Sequence, residues 1–262
     1  MSSSNDSKSL SKARYGRFAG RYVASPTHAR GVDLERLLEL SAPQADWRVL
    51  DVATGGGHTA LKFAPHVHQV VATDLTEKML AAAREFLLGQ GLGQFRFSLA
   101  DAEALPFVTG SFDLVTCRIA AHHFPDPARF VQEAARVARP AGLVVVQDQL
   151  MPDDPAAGQS VNDFERHRDP SHSRALSQGE WLALLTAAGL DVQAVEALLK
   201  RHKLVSWAER QGATPETIAA LQARLKDMPP IARDWLQPQD WGTSEASFAI
   251  HHIIITARKL VR

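Results

Sequence analysis

The sequence predicts an α/β chain folded as a doubly wound parallel sheet. Two observations carry that prediction. Short β-branched runs alternate with amphipathic helical segments at the spacing of βαβ units. A glycine loop follows the first such run, as it does where a sheet feeds a helix at a ligand-binding crevice. Right-handed crossovers then cover both faces of the sheet with helices.

The elements are taken in order. Residues 1–12, Ser-rich and polar with no apolar stretch after them, are expected to form a disordered tail and not a secretory signal. From residue 13, Tyr15, Phe18, Ala19 and Tyr22 recur at helical spacing. Leu34, Leu37 and Leu38 mark a short helix over 33–40 with Asp33 in its first turn. Strands are predicted at 48–52, 67–73, 95–99, 112–117 and 143–147. Between them come helices to about Ala64, over 76–88 and over 127–138. Met79, Leu80, Ala83 and Leu87 form one face of the 76–88 helix. Beyond residue 150 the chain becomes polar and proline-punctuated. A helix is predicted at 180–188, a strand at 190–199, broken helices over 206–237 and a last strand at 248–256. Residues 13–262 are thus read as one domain, with a core at 45–150. Segments 13–44, 151–178 and 200–246 form a helical cap.

Composition excludes several classes. The 262 residues carry 29 Lys plus Arg and 29 Asp plus Glu. A neutral total argues against affinity for nucleic acid. A single cysteine, Cys117, excludes an intrachain disulfide framework and fits a reducing cytoplasm. No apolar run approaches the roughly 20 residues of a membrane span. The one charge asymmetry is N-terminal, with Lys8, Lys12, Arg14, Arg17, Arg21 and Arg30 against Asp6. It reads as a solvated helix face or as a lid over an anionic ligand.

The glycine loop carries the chemistry. Asp51-Val-Ala-Thr-Gly-Gly-Gly57 ends the first strand, and Asp74 lies 19 residues after Gly55 at the end of the second. A carboxylate there can accept both hydroxyls of a ribose. A dinucleotide or S-adenosylmethionine would fit such a loop. Asp51 favours the second. It would repel a pyrophosphate but suits an ammonium and a sulfonium. Asp101, after the third strand, can accept from an adenine amine or cap a helix N-terminus.

The strings VLDVATGGGHTA, VVATDLTEKML and ADAEALPFVTGSFDLVTCRIAAHHFPDPARFVQEAARVARPAGLVVVQD occur in that order. They resemble the class I S-adenosylmethionine-dependent methyltransferases, type 11, the ubiquinone/menaquinone C-methyltransferase-like branch. The flanks FAGRYVASPTHARGVDLERLLEL and FERHRDPSHSRALSQGEW also resemble a bacterial subgroup of it. The resemblance implies a Rossmann-like seven-stranded sheet with its last strand antiparallel. It implies S-adenosyl-L-methionine as cofactor and C- or O-methylation of a small molecule by in-line displacement. It places Asp51, Ala53, Thr54, Gly55 and Gly57 around the methionine moiety. It places Asp74 on the ribose, Leu75 and Met79 against the adenine, and Asp101 with Ala102 at the adenine edge. Arg118 would face the cofactor's carboxylate.

A base is needed only if the acceptor must lose a proton. His123 is the first candidate and His122 the second; each can instead shape the loop before Phe124-Pro125. His172 is the third, beside the alternative that Asp169-Pro170 simply forms a turn. Arg168 could pair an anionic substrate, and Trp207, Trp235 and Trp241 could pack the cap or wall an aromatic one. The acceptor is therefore read as anionic or aromatic. No metal site is expected: the pairs His66/His68, His122/His123 and His251/His252 lack further ligands, and neighbours on a strand face opposite ways. The competing readings are an NAD(P)-dependent oxidoreductase and a non-catalytic S-adenosylmethionine-binding sensor or assembly subunit.

Overall fold

The computed structural model describes residues 4–23 and 31–261, with side chains at 7–16 and 31–261. Phe18, Ala19, Tyr22, Arg17, Arg21 and Arg30 therefore lie outside the described side chains. Helix α1 spans Ser4–Val23. This corrects the expected tail: the helix runs back through residues 4–12. Its support is not local. Lys8 meets Asp101 and Glu103, and Ser11 is buried.

Next come α2 (Val32–Ser41), β1 (Arg48–Val52), α3 (His58–Phe63), β2 (Gln69–Asp74), α4 (Glu77–Leu88) and β3 (Phe95–Leu99). Then follow β4 (Phe112–Arg118), α5 (Pro127–Val137) and β5 (Ala138–Met151). The sheet order is β3-β2-β1-β4-β5 with every pair parallel. The chain runs outward from β1 to β3, then crosses back to β4. That reversal opens a crevice at the carboxyl ends of β1 and β4.

Side chains on successive strand residues take opposite faces. Val49, Leu114 and Val145 therefore pack with Leu37 and Phe63 on one side. Leu50, Val115 and Val146 pack with Phe130 and Trp181 on the other. Both faces are dry, which explains why these strands read as continuous apolar runs.

The later chain holds α6 (Pro155–Arg168), β6 (Leu176–Ser177), α7 (Gln178–Ala187) and β7 (Leu190–Lys203). It continues with α8 (Leu204–Glu209), α9 (Pro215–Asp227), α10 (Pro230–Leu236) and β8 (Ser247–Lys259). β8 runs antiparallel between β5 and β7, as the resemblance implies. The two-residue β6, which pairs with the end of β5, brings the sheet to eight strands.

Helix α6 falls in the stretch whose prolines read as breakers. Two of its signals are local nonetheless. Asp154 caps it by accepting from Ala157 N at 2.8 Å, and Pro155 sits in its first turn. Its buried residues Val161 and Phe164 join Trp207, Leu221, Leu225 and Phe248 in a second apolar cluster beside the sheet. Phe164 stacks on Trp207 with centroids 5.4 Å apart. That cluster is the core of the cap. β7 and β8 are both longer than predicted and pair antiparallel along their whole length. No described helix is long and apolar enough to cross a membrane.

Candidate active site

One cavity opens at the carboxyl edge of the sheet, under α1. Its walls include Asp51, Asp74 and Asp101 together with Glu165, Lys200 and His252. Ala53, Thr54, Gly55, Leu75, Ala102 and Arg118 also line it, as do His122, His123 and His172.

Asp51 is buried at the end of β1. Thr54 donates its hydroxyl to one carboxylate oxygen at 2.6 Å and Thr116 donates to the other at 2.8 Å. Burial outweighs these bonds and pushes the carboxyl up to about 6. The loop that follows is left-handed at Ala53 (φ 53°), Gly55 (φ 54°) and Gly57 (φ 86°). Gly57 serves packing more than the ligand. A Cβ there would sit 3.0 Å from Leu87, and the residue does not reach the cavity wall. Gly56, its neighbour, lines the cavity instead.

Asp74 ends β2 and fixes the loop's position. Gly55 N donates to it at 3.2 Å and Thr76 N at 2.9 Å. Asp74 also lines the cavity. Burial raises its pKa. Leu75 lines the wall beside it, but Met79 does not. The Met79 side chain is buried, on one face of α4 with Ala83 and Leu87. Its expected adenine contact is corrected accordingly. Asp101 caps a turn, not a helix, by accepting from Glu103 N at 3.0 Å. Its other oxygen accepts from Lys8 at 2.6 Å, so α1 is bolted to the adenine-side acids.

Arg118, expected to face a cofactor carboxylate alone, is bonded to Asp33 through Nε (3.1 Å) and Nη2 (2.7 Å). Lys200 Nζ lies 2.8 Å from the second Asp33 oxygen. Burial would raise the Asp33 pKa, but Arg118 and Lys200 overcome it and hold the carboxyl at about 2.

The three histidines differ in kind. His122 binds Asp148 through Nδ1 at 2.5 Å, and its backbone N–H donates to the same carboxylate at 2.7 Å. Burial opposes its charge, yet Asp148 raises its pKa. Its Nδ1 is occupied by that carboxylate and is not open to a substrate. His123 Nδ1 lies 2.9 Å from the Ser171 carbonyl, which can only accept, so that nitrogen carries the proton. Burial, with His122 alongside, lowers its pKa to about 4. The ring is therefore neutral, and Nε2 accepts from the Tyr15 hydroxyl at 2.5 Å. His172 donates Nε2–H to Asn162 Oδ1 at 2.7 Å, which pins it as a wall. Asp169 forms the expected turn, accepting from Ser171 N at 3.0 Å. It also pairs with Arg14 of α1 at 3.0 Å.

Lys8 and Arg14 thus face acids of the protein, where the sequence allowed a solvated face or an anionic ligand. Sequence reasoning missed Asp33, Gln149, Lys200 and His252 as site residues. Among the described residues no cluster could hold a metal ion. His251 donates Nε2–H to the Trp235 carbonyl at 2.8 Å while His252 lines the cavity, so the two side chains part as neighbours on a strand do. Cys117 is buried, and burial pushes its thiol well up.

Comparison with known proteins decides the family. Residues 50–146 match the family described as "Methyltransferase domain". The chain is 36% identical over 220 residues to the uncharacterized methyltransferase YcgJ of Bacillus subtilis, covering 84% of this chain and 87% of that one. The chain belongs to the S-adenosylmethionine-dependent methyltransferases. The crystal structure of YcgJ superposes with a TM-score of 0.84 at 34% identity, over 87% of this chain and 98% of that one. The ubiquinone/menaquinone biosynthesis C-methyltransferase UbiE of Pseudomonas putida is 33% identical over 176 residues, 59% of this chain and 69% of that protein.

S-adenosylmethionine is this methyltransferase's cofactor, and the cavity fits it. The loop end is acidic, as a cation requires, and the nicotinamide alternative is not favoured. One consequence is measurable. Because Asp51 is held at about 6, it must lose a proton before it can face a cation. Affinity for S-adenosylmethionine is expected to be flat above pH 6 and to fall below it, by up to about tenfold per pH unit. Calorimetry across pH 5–8 reads this, and Asp51→Asn should abolish the dependence.

Proposed function

We infer that this methyltransferase methylates a small-molecule acceptor at carbon or oxygen, by in-line displacement inside the cavity under α1. The observation that carries the reading is the continuity of one cavity. Its lining holds the acidic loop end, Tyr15 with His123, and Gln149, Lys200 and His252 of β5, β7 and β8.

The cofactor supplies a methyl group activated on a sulfonium. Asp51 and the Ala53–Gly56 loop hold its methionine end, Asp74 the ribose hydroxyls, and Asp101 with Ala102 the adenine edge. Arg118 contributes its charge jointly with Asp33. Asp74→Ala is expected to weaken S-adenosylhomocysteine binding at least tenfold, roughly the two charge-assisted hydrogen bonds lost. Unchanged affinity by calorimetry would show Asp74 misplaced.

The chain's residues then position the acceptor and receive its proton. α1 closes the cavity through Lys8, Ser11 and Tyr15, and excluding water strengthens every charge inside. The acceptor's proton passes to the Tyr15 oxygen as Tyr15's own proton moves to His123 Nε2. His123 ends as an imidazolium near Asp169, whose second oxygen lies 3.4 Å from the Tyr15 hydroxyl. Alignment of the partners supplies most of the rate.

A screen for S-adenosylhomocysteine release with quinol, phenol and hydroxy-acid acceptors tests the function. Turnover supports it. Binding of S-adenosylmethionine without turnover on any acceptor would favour a sensor or assembly role. The cytoplasm, where one buried free thiol is stable, is the compartment we infer.

A further inference from the structure

We propose that Gln149 and His252 form the subsite by which this methyltransferase selects its acceptor, and that it takes an uncharged hydroxyl group carried on an apolar body. The proposal rests on the methyl-transfer reading and adds the chemical group that is recognised.

Strand register builds the subsite. Gln149 of β5 stands directly opposite His252 of the antiparallel β8. Directly opposed residues put their side chains on one face of the sheet as close neighbours. Ile250, two positions before His252, shares that face. Lys200 of β7 stands opposite Ile250 and completes the row. Gln149, His252, Ile250 and Lys200 all line the cavity. They belong to strands remote from the glycine loop in sequence, and the loop's motif does not assign them.

Two atoms of this row lack partners. Gln149 Oε1 and His252 Nδ1 are buried and have no hydrogen-bond partner among the described residues. The two residues are 6% and 4% exposed. Buried polar atoms are seldom left unpaired. Two of them on directly opposed residues of one cavity wall point to a ligand that serves both. The Gln149 amide is already oriented. Burial raises the Glu165 pKa, and a side-chain hydrogen bond from Gln149 works against that rise. Such a bond is donated by the amide N–H, which leaves Oε1 as the end without a partner.

The chemistry of the two atoms narrows the ligand. Gln149 Oε1 can only accept, so the ligand must bring a hydrogen; an ionised carboxylate or phosphate brings none. Burial and the Lys200 charge lower the His252 pKa to about 3, so the ring is uncharged at neutral pH. Surroundings that suppress an imidazolium also penalise an ammonium in the same place. A hydroxyl meets both atoms. Its O–H donates to Gln149 Oε1, and its oxygen accepts from His252 Nδ1–H. Ile250 and Trp207, which also line the cavity, offer apolar surface to the rest of the molecule.

The test uses the full chain saturated with S-adenosylhomocysteine. It is titrated with cyclohexanol and phenol, with fluorocyclohexane and fluorobenzene, and with cyclohexylamine, and binding is read by ligand-observed NMR. Fluorine nearly matches the hydroxyl in size but cannot donate. Each hydroxyl compound should bind at least about tenfold tighter than its fluoro counterpart, and cyclohexanol tighter than cyclohexylamine. Gln149→Met should bring the hydroxyl-to-fluoro ratio to within about threefold of unity, because the preference and not mere occupancy depends on the hydrogen bond. Should that variant fail to fold, His252→Phe is expected to shrink the ratio in the same way. Fluoro compounds binding as tightly as the alcohols would overturn the proposal and leave the two atoms to a bound water. Tighter binding of the amine, no binding of either alcohol, or a ratio that survives the substitutions would overturn it too. Failure of S-adenosylhomocysteine itself to bind would instead sink the methyl-transfer reading, and the same titrations on the ligand-free chain would still decide the subsite.

Discussion

Asp33→Asn should destabilise the fold by about 3–5 kcal/mol, the usual cost of removing one partner from a buried ion pair. Asp33 is fully buried in the first turn of α2, and Arg118 is nearly so at the end of β4. Without the carboxylate, the guanidinium and the Lys200 ammonium face each other with nothing between them. The loss should exceed that of a surface pair such as Lys203–Glu245, which solvent screens. The same pair sets an acid limit. Asp33 is held at about 2 against an ordinary value of 3.8. Its contribution is complete above roughly pH 4 and disappears as pH falls through about 2. Urea unfolding at pH 7 should therefore separate the variant from wild type by the full amount, and the gap should close toward pH 2. Equal midpoints at pH 7 would show that the pair is neutral to stability.

His123→Gln should lower kcat by about 10²–10³ on any acceptor that must lose a proton, the range of a single positioned base. Gln restores a donor toward the Ser171 carbonyl but cannot accept a proton. The effect should fall on kcat and not on the affinity for S-adenosylhomocysteine, because His123 follows β4 and is not part of the glycine loop. Tyr15→Phe should cost less, since the acceptor can still approach His123 directly. The pH profile distinguishes a base from a mere wall. His123 is held at about 4, so the rate at saturating cofactor should persist as pH falls through 6.5, the ordinary value for histidine. A kcat that titrates near 6.5 in wild type, or is unchanged in His123→Gln, would remove His123 from the chemistry.

Much of the cofactor half was legible in the sequence because its signals are local. Asp51, the glycine loop and Asp74 lie within one βαβ unit, and strand-end positions follow directly from counting. The acceptor half was not, because its determinants are pairings across the fold. Lys8 meets Asp101 over 93 residues, and Tyr15 meets His123 over 108. A basic tail looks solvated until the acids it reaches are placed beside it. Asp33 read as a helix first-turn acid, a role any surface helix has, and only the sheet order brings Arg118 and Lys200 to it. Met79 failed for a different reason. Its helix has a single apolar face, and burial claimed it before the ligand could. The row of Gln149, His252 and Lys200 depends on strand register, which no single strand's pattern encodes. Helix α6 was concealed by its prolines, although Asp154-Pro155 is a proper start signal.

The central claim is that the acidic crevice at the ends of β1, β2 and β3 is built for S-adenosylmethionine. Calorimetric titration of the full chain tests it most directly. Saturable binding of S-adenosylmethionine at one site per chain, with NAD silent under the same conditions, is the result expected. Saturable binding of NAD with S-adenosylmethionine silent would contradict it.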